Sequence, residues 1–163
     1  MAINPDLEPI TAFRPMLLDD VPEIMEIEVV SYDHPWTAGI FRDCIRVGYN
    51  CWVCEINDQI QAYGLISIAA NEAHILNICV ANKYRGQGVG RKMLHKLLQV
   101  AESKQVDSIF LEVRESNAAA IHLYDQEGFN RLGIRKAYYP AKDGREDALV
   151  FAKALNLPDE QST

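Results

Sequence analysis

The clearest pattern of apolar and polar positions runs through residues 74–104. It opens with a short apolar run over residues 75–80, rich in β-branched side chains, which predicts a buried strand. It closes with apolar residues at steps of three and four, which predict a long helix with one apolar face. Three glycines between the two patterns predict a turn from strand to helix. The helix-face residues are Val89, Met93, Leu94, Leu97, Leu98 and Ala101, and the glycines are Gly86, Gly88 and Gly90.

The chain before this stretch predicts one strand, two helices and an antiparallel pair of strands. Pro22 suits the first turn of the first helix, and Thr37 is a residue type that caps the second. Asn57-Asp58-Gln59, between two apolar runs, predicts the turn of a hairpin. The predicted strands are residues 11–17, 51–56 and 60–69, and the first helix is residues 21–30.

The chain after the long helix predicts a further helix and three strands. The strands are expected over residues 108–113, 129–136 and 148–152, and the helix over residues 118–127. Residues 138–147, which contain Pro140, are expected to form a loop. The predicted fold is a single-domain mixed α/β sheet, with a parallel strand pair joined across the long helix by a right-handed crossover. Residues 1–10 and 156–163 are expected to be loose termini.

Composition and charge narrow the class of protein. The chain has 163 residues and a net charge of -7, which suits one domain and argues against general nucleic-acid binding. No apolar run approaches the roughly 20 residues that a membrane span needs, and the start of the chain lacks the pattern of a signal peptide. We therefore expect a cytoplasmic protein with neither nucleic acid nor a membrane among its partners.

The cysteines are expected to be core residues. Cys51 and Cys54 have the spacing of a redox or zinc motif, but they lie in a predicted strand. Side chains three apart on a strand face opposite sides, so the pair is poorly placed to hold one ion. We expect no metal site. The four cysteines are Cys44, Cys51, Cys54 and Cys79.

The glycine-rich turn has the chemistry of a phosphate site. A turn that opens a helix points several backbone N–H groups at one place, where the helix dipole is positive. Arg85, Arg91 and Lys92 add positive charge. The Walker A pattern is absent, and the dinucleotide fingerprint fails because Arg91 stands where its third glycine is required. The alternative is a glycine-rich connection without a ligand.

Glu112 is a carboxylate in an apolar strand, near the end where ligand crevices of open α/β sheets lie. Such a central strand is expected to be buried on both faces. Partial burial would make the carboxylate a better proton acceptor near neutral pH. The alternative is a structural salt bridge with Arg114 or Arg91.

Asn117, Ile121 and Tyr124 share one stripe of the following helix because they are spaced i, i+4 and i+7. Asn117 either caps the helix or donates its amide to a ligand. Tyr124 is either an ordinary buried aromatic or a proton donor.

The R-x-x-G-x-G signature at residues 85–90 resembles the pyrophosphate-binding turn of the GNAT superfamily of N-acetyltransferases. Together with LEVRESNAAAIHLYDQEGF and AYYPAKDGREDALVF, it resembles the RimI subfamily, the ribosomal-protein-alanine N-acetyltransferases, over residues 11–154. The resemblance implies the GNAT fold: a central, mixed and mostly antiparallel sheet with a splayed parallel strand pair and about four flanking helices. It also implies acetyl-CoA as co-substrate, no metal, and acetyl transfer to the N-terminal alanine of a basic ribosomal protein.

The resemblance assigns roles to single residues as well. It makes Glu112 the catalytic base and Tyr124 the general acid. Cys79 stands where relatives commonly have a small residue such as alanine, which matters little where the backbone makes the contact. The residues that it assigns to acetyl-CoA binding are Ile78, Cys79, Val80, Arg85, Gly86, Gln87, Gly88, Val89, Gly90, Arg91 and Asn117.

Aromatic residues are the candidates for substrate contact. Trp36 is either a core plug or one wall of a cleft. Tyr138 and Tyr139 either cap the core or cover the amine, and acidic residues near them would attract an ammonium group and a basic substrate. Two other functions stay open from the sequence: acetylation of a small amine or lysine side chain, and a non-catalytic acyl-CoA-binding module.

Overall fold

The computed structural model of the protein describes residues 11–155. The predicted loose termini, residues 1–10 and 156–163, lie outside the described residues. The strands within the described range are β1 (Thr11–Pro15), β2 (Asn50–Ile56), β3 (Gln59–Ala69), β4 (Glu72–Val80), β5 (Ser108–Arg114), β6 (Asn130–Ala141) and β7 (Gly144–Ala154). The α-helices of the same range are α1 (Val21–Ser31), α2 (Ala38–Arg46), α3 (Val89–Ser103) and α4 (Ala118–Gln126).

Polar side chains mark where the first two helices begin. Thr37 accepts a hydrogen bond from the backbone N–H three residues on, at 3.3 Å, which confirms it as the cap of α2. Asp20 accepts from the backbone N–H of Leu17 at 2.7 Å and therefore closes a short 3-10 turn that leads into α1. Its hydrogen bonds with Arg14 hold the pKa of Asp20 below the usual value.

The seven strands form one sheet in the order β1-β2-β3-β4-β5-β7-β6. All neighbours are antiparallel except β4 and β5, which pair in parallel from Glu72↔Ser108 to Ile75↔Leu111. Both strands continue beyond that last pair without pairing to each other, β4 to Val80 and β5 to Arg114. The splay opens a crevice at the carboxyl ends of these two strands, which is where α/β sheets bind ligands.

Two apolar cores cover the two faces of the sheet. On one face Met93, Leu94 and Leu97 of α3 are fully buried. Gly64 of β3 permits this close packing, because a Cβ there would lie 2.9 Å from the Met93 side chain. On the other face α1 and α2 bury a second cluster, which includes Val21, Ile24, Phe41, Val53, Tyr63 and Leu65.

The predicted loop at residues 138–147 is wrong. The structure extends β6 and β7 into one long hairpin, which turns at Lys142 and Asp143. Ala137 has a φ of 51°, and the register shifts next to it, so a bulge interrupts the ladder. Because almost all of β6 is exposed, its sequence lacks the alternation of buried and polar positions that predicts a strand.

The expectation that β5 is buried on both faces also needs correction. Ile109, Leu111 and Val113 are buried, but Phe110 and Glu112 on the other face are only half-buried. The apolar cluster under α1 and α2 contains no residue of β5, so this face of the strand is less covered. All four cysteines are free and buried, which confirms them as core residues. No helix among residues 11–155 has the length and apolar character to cross a membrane.

Candidate active site

The splay between β4 and β5 holds two adjoining cavities. The larger cleft, about 1280 Å³, runs from the glycine-rich turn along β4 to the start of α4. The smaller cavity, about 330 Å³, is lined by residues of α1, β4, β5, α4 and β6. Tyr32, Ile78, Asn117 and Tyr124 border both. A ligand that fills the larger cleft can therefore present one end to the smaller cavity.

The glycine-rich turn borders the larger cleft at the N-terminus of α3. Gly86 and Gly88 have φ values of 74° and 82°, a left-handed conformation that favours glycine. Two side chains brace the turn: Arg85 donates to the carbonyl of Val80 at 3.1 Å, and Gln87 donates to that of Lys83 at 3.1 Å. The first backbone N–H groups of a helix have no partners within it, so this turn can bind an anion.

The residues at the end of β4 turn their backbones alternately towards β3 and towards the cleft. The N–H and C=O of one residue point to the same side of an antiparallel strand. Tyr32 donates its hydroxyl to the carbonyl of Ile78 at 3.1 Å, and Arg85 bonds that of Val80, so both residues face the open side. The backbone of Cys79, between them, faces β3. Backbone contacts with a ligand would therefore come from Ile78 and Val80.

Glu112 lines the smaller cavity with its side chain 12% exposed. Nε2 of His74 lies 2.5 Å from its Oε2 atom, and Nη1 of Arg135 lies 3.2 Å from Oε1. Both expected partners are engaged elsewhere: Arg114 donates to the carbonyl of Pro140, and Arg91 pairs with Glu127, just after the end of α4. Glu112 is thus both ion-paired and at the cavity, but with partners that lie on β4 and β6.

Tyr124 is 7% exposed and borders both cavities. Its ring packs against Phe129 and Phe151, with centroids 5.5 Å and 6.0 Å away. Burial, and then the neighbouring Tyr139, raise the pKa of the Tyr124 hydroxyl above its ordinary value. The phenol therefore keeps its proton across the neutral range and can donate it to a stronger base.

Asn117 borders both cavities from the start of α4. Its Oδ1 atom accepts a hydrogen bond from the backbone N–H of Ala120 at 3.2 Å, so the side chain caps the helix. The amide nitrogen of Asn117 is not used by this cap, because Oδ1 makes the bond.

Comparison with known proteins identifies the family to which this combination of fold and cleft belongs. The model of the GNAT acetyltransferase family matches residues 18–129. The chain belongs to the GNAT family. The predicted family, the GNAT fold and the enzyme class, an N-acetyltransferase, are thereby confirmed.

Individual GNAT relatives cover nearly the whole chain. The [ribosomal protein bS18]-alanine N-acetyltransferase of Escherichia coli K12 is 37% identical over 138 residues, 85% of this chain and 93% of the relative. A putative enzyme of the same name from Bacillus subtilis is 35% identical, over 89% of this chain and 96% of its own. The crystal structure of the ribosomal-protein-S18-alanine N-acetyltransferase from Escherichia coli superposes with a TM-score of 0.86, covering 94% and 99% of the two chains at 34% identity.

Arg91 of the glycine-rich turn also contacts the end of α4. It borders the larger cleft, but its guanidinium bonds Glu127 and Gln126 of the α4 end. His95 lies 2.7 Å from the second oxygen of Glu127. Hydrogen bonds from His95 and Arg91 lower the pKa of Glu127, against the effect of desolvation. Val89, in the same turn, is buried in the core. These contacts tie the two helices that flank the GNAT cleft.

The three aromatic candidates for substrate contact have different surroundings. Trp36 lines the smaller cavity and also packs on Phe41, with ring centroids 5.2 Å apart. It therefore forms part of the cavity wall and part of the core packing. Tyr139 lines the same cavity, where burial and then the charge of Glu112 raise its pKa to about 12. Tyr138 is 41% exposed and packs edge-on against Tyr139 at 4.8 Å. The structure thus brings two of the three to the smaller cavity.

A second carboxylate at the smaller cavity was not among the predicted site residues. Glu28 is 1% exposed, and its two oxygens accept hydrogen bonds from Asn77 Nδ2 at 2.9 Å and from the Tyr63 hydroxyl at 3.2 Å. Burial raises the pKa of Glu28, and the two hydrogen bonds oppose that effect. The sequence does carry a signal for it, because Glu28 follows Val21 and Ile24 on the buried stripe of α1, where a carboxylate is out of place.

Proposed function

We propose that this protein transfers the acetyl group of acetyl-CoA to the α-amine of an N-terminal alanine of a ribosomal protein. The observation that carries the proposal is that Glu112 and Tyr124, a proton acceptor and a proton donor, line one cavity of about 330 Å³ that adjoins the cleft of the glycine-rich turn. The names of the relatives from Escherichia coli and Bacillus subtilis, which specify alanine of ribosomal protein bS18, support the choice of substrate.

The larger cleft is the proposed site of acetyl-CoA. The backbone N–H groups of the turn at residues 86–91 suit the diphosphate, together with the positive charge of Arg85. Arg91 also borders the cleft, but its charge is paired with Glu127. The open side of β4 offers the backbone of Ile78 and Val80 to the pantetheine arm. The amide nitrogen of Asn117, which takes no part in the helix cap, is a further donor at the same cleft. In this arrangement the thioester would reach the junction of the two cavities.

The proposed chemistry is direct attack of the amine on the thioester. An α-amine has a pKa of about 8, so near neutral pH most of it is ammonium and must lose a proton first. Glu112 accepts that proton, directly or through a water. The backbone N–H of Ile78, which faces the cleft, stabilises the oxyanion of the tetrahedral intermediate. Tyr124 then protonates the leaving thiolate. Each proton transfer is worth roughly 100- to 10,000-fold in rate.

The smaller cavity suits a short first residue. Trp36 and Tyr139 border it, so a small side chain such as the methyl of alanine is accommodated more easily than a bulky one. A net charge of -7 attracts basic ribosomal proteins over long range. Such a substrate would place the reaction in the cytoplasm, as the sequence predicts.

One experiment tests the substrate and the reaction together. The protein is incubated with acetyl-CoA and a mixture of peptides that differ in their first residue, and mass spectrometry locates any acetyl group gained. We expect the alanine peptide to be acetylated at its α-amine, and the same peptide with a blocked N-terminus but a free lysine to remain unmodified. Acetylation of the lysine, or of a small polyamine instead of the alanine peptide, would overturn the assignment. Thermal stabilisation by acetyl-CoA without any turnover would indicate a binding module.

A further inference from the structure

Two carboxylates line the smaller cavity, and their surroundings differ in charge. Glu112 has two basic side chains beside it, His74 and Arg135. Glu28 has only neutral donors, the hydroxyl of Tyr63 and the amide of Asn77. Among the ion pairs of residues 11–155, none includes Glu28. The cavity therefore contains one compensated carboxylate and one that lacks a cation.

A buried carboxylate without a cation is unfavourable, because removal from water penalises the charged form. Its hydrogen bonds offset that penalty only in part, and the pKa of Glu28 is accordingly raised. A cation that enters the cavity with a ligand would supply the missing charge. Glu112 has no such need, since its oxygens already face His74 and Arg135.

Asn77 lines the cavity beside Glu28, to which it is hydrogen-bonded, and can transmit this preference. A carboxylate only accepts hydrogen bonds, so the Nδ2 atom of Asn77 must face Glu28, at 2.9 Å. Its Oδ1 atom therefore points to the other side, where the hydroxyl of Tyr32 lies 3.4 Å away. Asn77 is half-buried and lines the cavity. A carbonyl oxygen has two lone pairs, so Oδ1 can accept a further hydrogen bond from a ligand.

We propose that the Glu28–Asn77 pair is the subsite for the α-ammonium group of the acceptor peptide. Asn77 Oδ1 is the contact atom, and Glu28 is a positioning residue that orients the amide and supplies the negative charge behind it. Recognition of the ammonium is thus separate from its deprotonation, which belongs to Glu112. This inference rests on the proposed function, because it takes a peptide N-terminus as the ligand.

The test compares two ligands that differ only in the amine. The alanine peptide and its des-amino analogue, in which a propionyl group replaces alanyl, are titrated by calorimetry into the full chain saturated with CoA at pH 7. The wild type should bind the amine at least about tenfold more tightly, the range of one charge-assisted hydrogen bond. Glu28→Gln, which keeps the shape of the side chain, should reduce this preference to less than about threefold. Asn77→Leu should reduce the preference to the same extent, and this variant replaces Glu28→Gln in the test if Glu28→Gln does not fold.

Glu26→Gln is the matched control, because it removes the same charge from an exposed position of α1. It should keep the wild-type preference. Equal binding of both ligands by the wild type would overturn the proposed subsite. An equal loss of affinity for both ligands in Glu28→Gln would also overturn it, because a purely structural role of Glu28 predicts that result. Failure of the proposed function has a different signature: the alanine peptide would bind with its amine preference but gain no acetyl group.

Discussion

The Nε2 atom of His74 lies 2.5 Å from the Oε2 atom of Glu112. His74 comes from β4 and Glu112 from β5, two residues beyond the position paired with His74 in the parallel register. The contact lies at the end of the paired part of the two strands. It therefore holds the carboxylate where β4 and β5 begin to diverge. Arg135 bonds the other oxygen from the β6 side. The proposed base is therefore oriented by two side chains that lie 38 and 23 residues away in the sequence.

Replacement of Glu112 by glutamine should abolish most of the proton transfer while leaving the cofactor site intact. We expect kcat to fall by roughly 100- to 10,000-fold. The affinity for acetyl-CoA should stay within about twofold, because the glycine-rich turn is untouched. Steady-state kinetics and calorimetry measure the two quantities. Glu102→Gln, an exposed change on α3, is the control. A wild-type kcat in Glu112→Gln would assign the base to another group.

Replacement of Tyr124 by phenylalanine should slow release of the thiol more than it affects binding. We expect kcat to fall by about 100-fold or more, since the ring still packs on Phe129 and Phe151. Burial raises the pKa of Tyr124, so the wild-type phenol stays protonated at mildly alkaline pH. The wild-type rate should accordingly not decline between about pH 8 and pH 9 through loss of this proton. A decline in that range which disappears in Tyr124→Phe would contradict the assigned state.

Replacement of Gly88 by valine should weaken the binding of acetyl-CoA. Gly88 has a φ of 82°, which a β-branched residue adopts only at an energetic penalty of about 1–2 kcal/mol or more, and a side chain would also crowd the diphosphate. We expect at least about tenfold weaker binding by calorimetry. Gly133→Ala is a suitable control, because an added Cβ there meets nothing within 4 Å and the φ is not positive. Unchanged affinity in Gly88→Val would show that the turn only connects strand and helix.

Replacement of Glu28 by glutamine should change how stability depends on pH. Burial raises the pKa of Glu28 above the ordinary 4.5, so ionisation of this carboxyl group is less favourable in the folded chain than in the unfolded chain. Its contribution to stability is complete below pH 4.5 and is lost as pH rises through the raised pKa, because the unfolded chain ionises first. Glutamine cannot ionise, so the Tm of Glu28→Gln relative to wild type should improve with rising pH.

The Tm difference is measured by calorimetry at several values between about pH 4 and pH 7, with Glu26→Gln as the exposed control whose difference should stay nearly constant. Titration of Asp20 and Glu127 is common to all three proteins and cancels in the difference. The raised pKa of Glu28 would be refuted if the Tm of Glu28→Gln relative to wild type did not change with pH, or if it fell as pH rises.

Several features of the fold followed from local pattern alone. The apolar period of three and four predicted α3, and the glycines predicted a turn whose backbone has positive φ at Gly86 and Gly88. Thr37 predicted the start of α2. These features depend on neighbours within a few residues, which is the range over which periodicity and capping act. The prediction of a loop at residues 138–147 was wrong because β6 and β7 pair there outside the core. Strands in such a position need no alternation of buried and polar residues, so local pattern does not reveal them.

The arrangement of the site was decided by tertiary structure. The sequence by itself determined the family, the order of the elements and the candidates Glu112 and Tyr124, whose catalytic roles stay predictions. Only the register of β4 on β5 placed His74 against Glu112, and only the packing of α1 on β4 placed Glu28 against Asn77, a contact between residues 49 apart. The physical reason is that local pattern determines which residues are buried, whereas strand pairing and packing determine which buried residues meet.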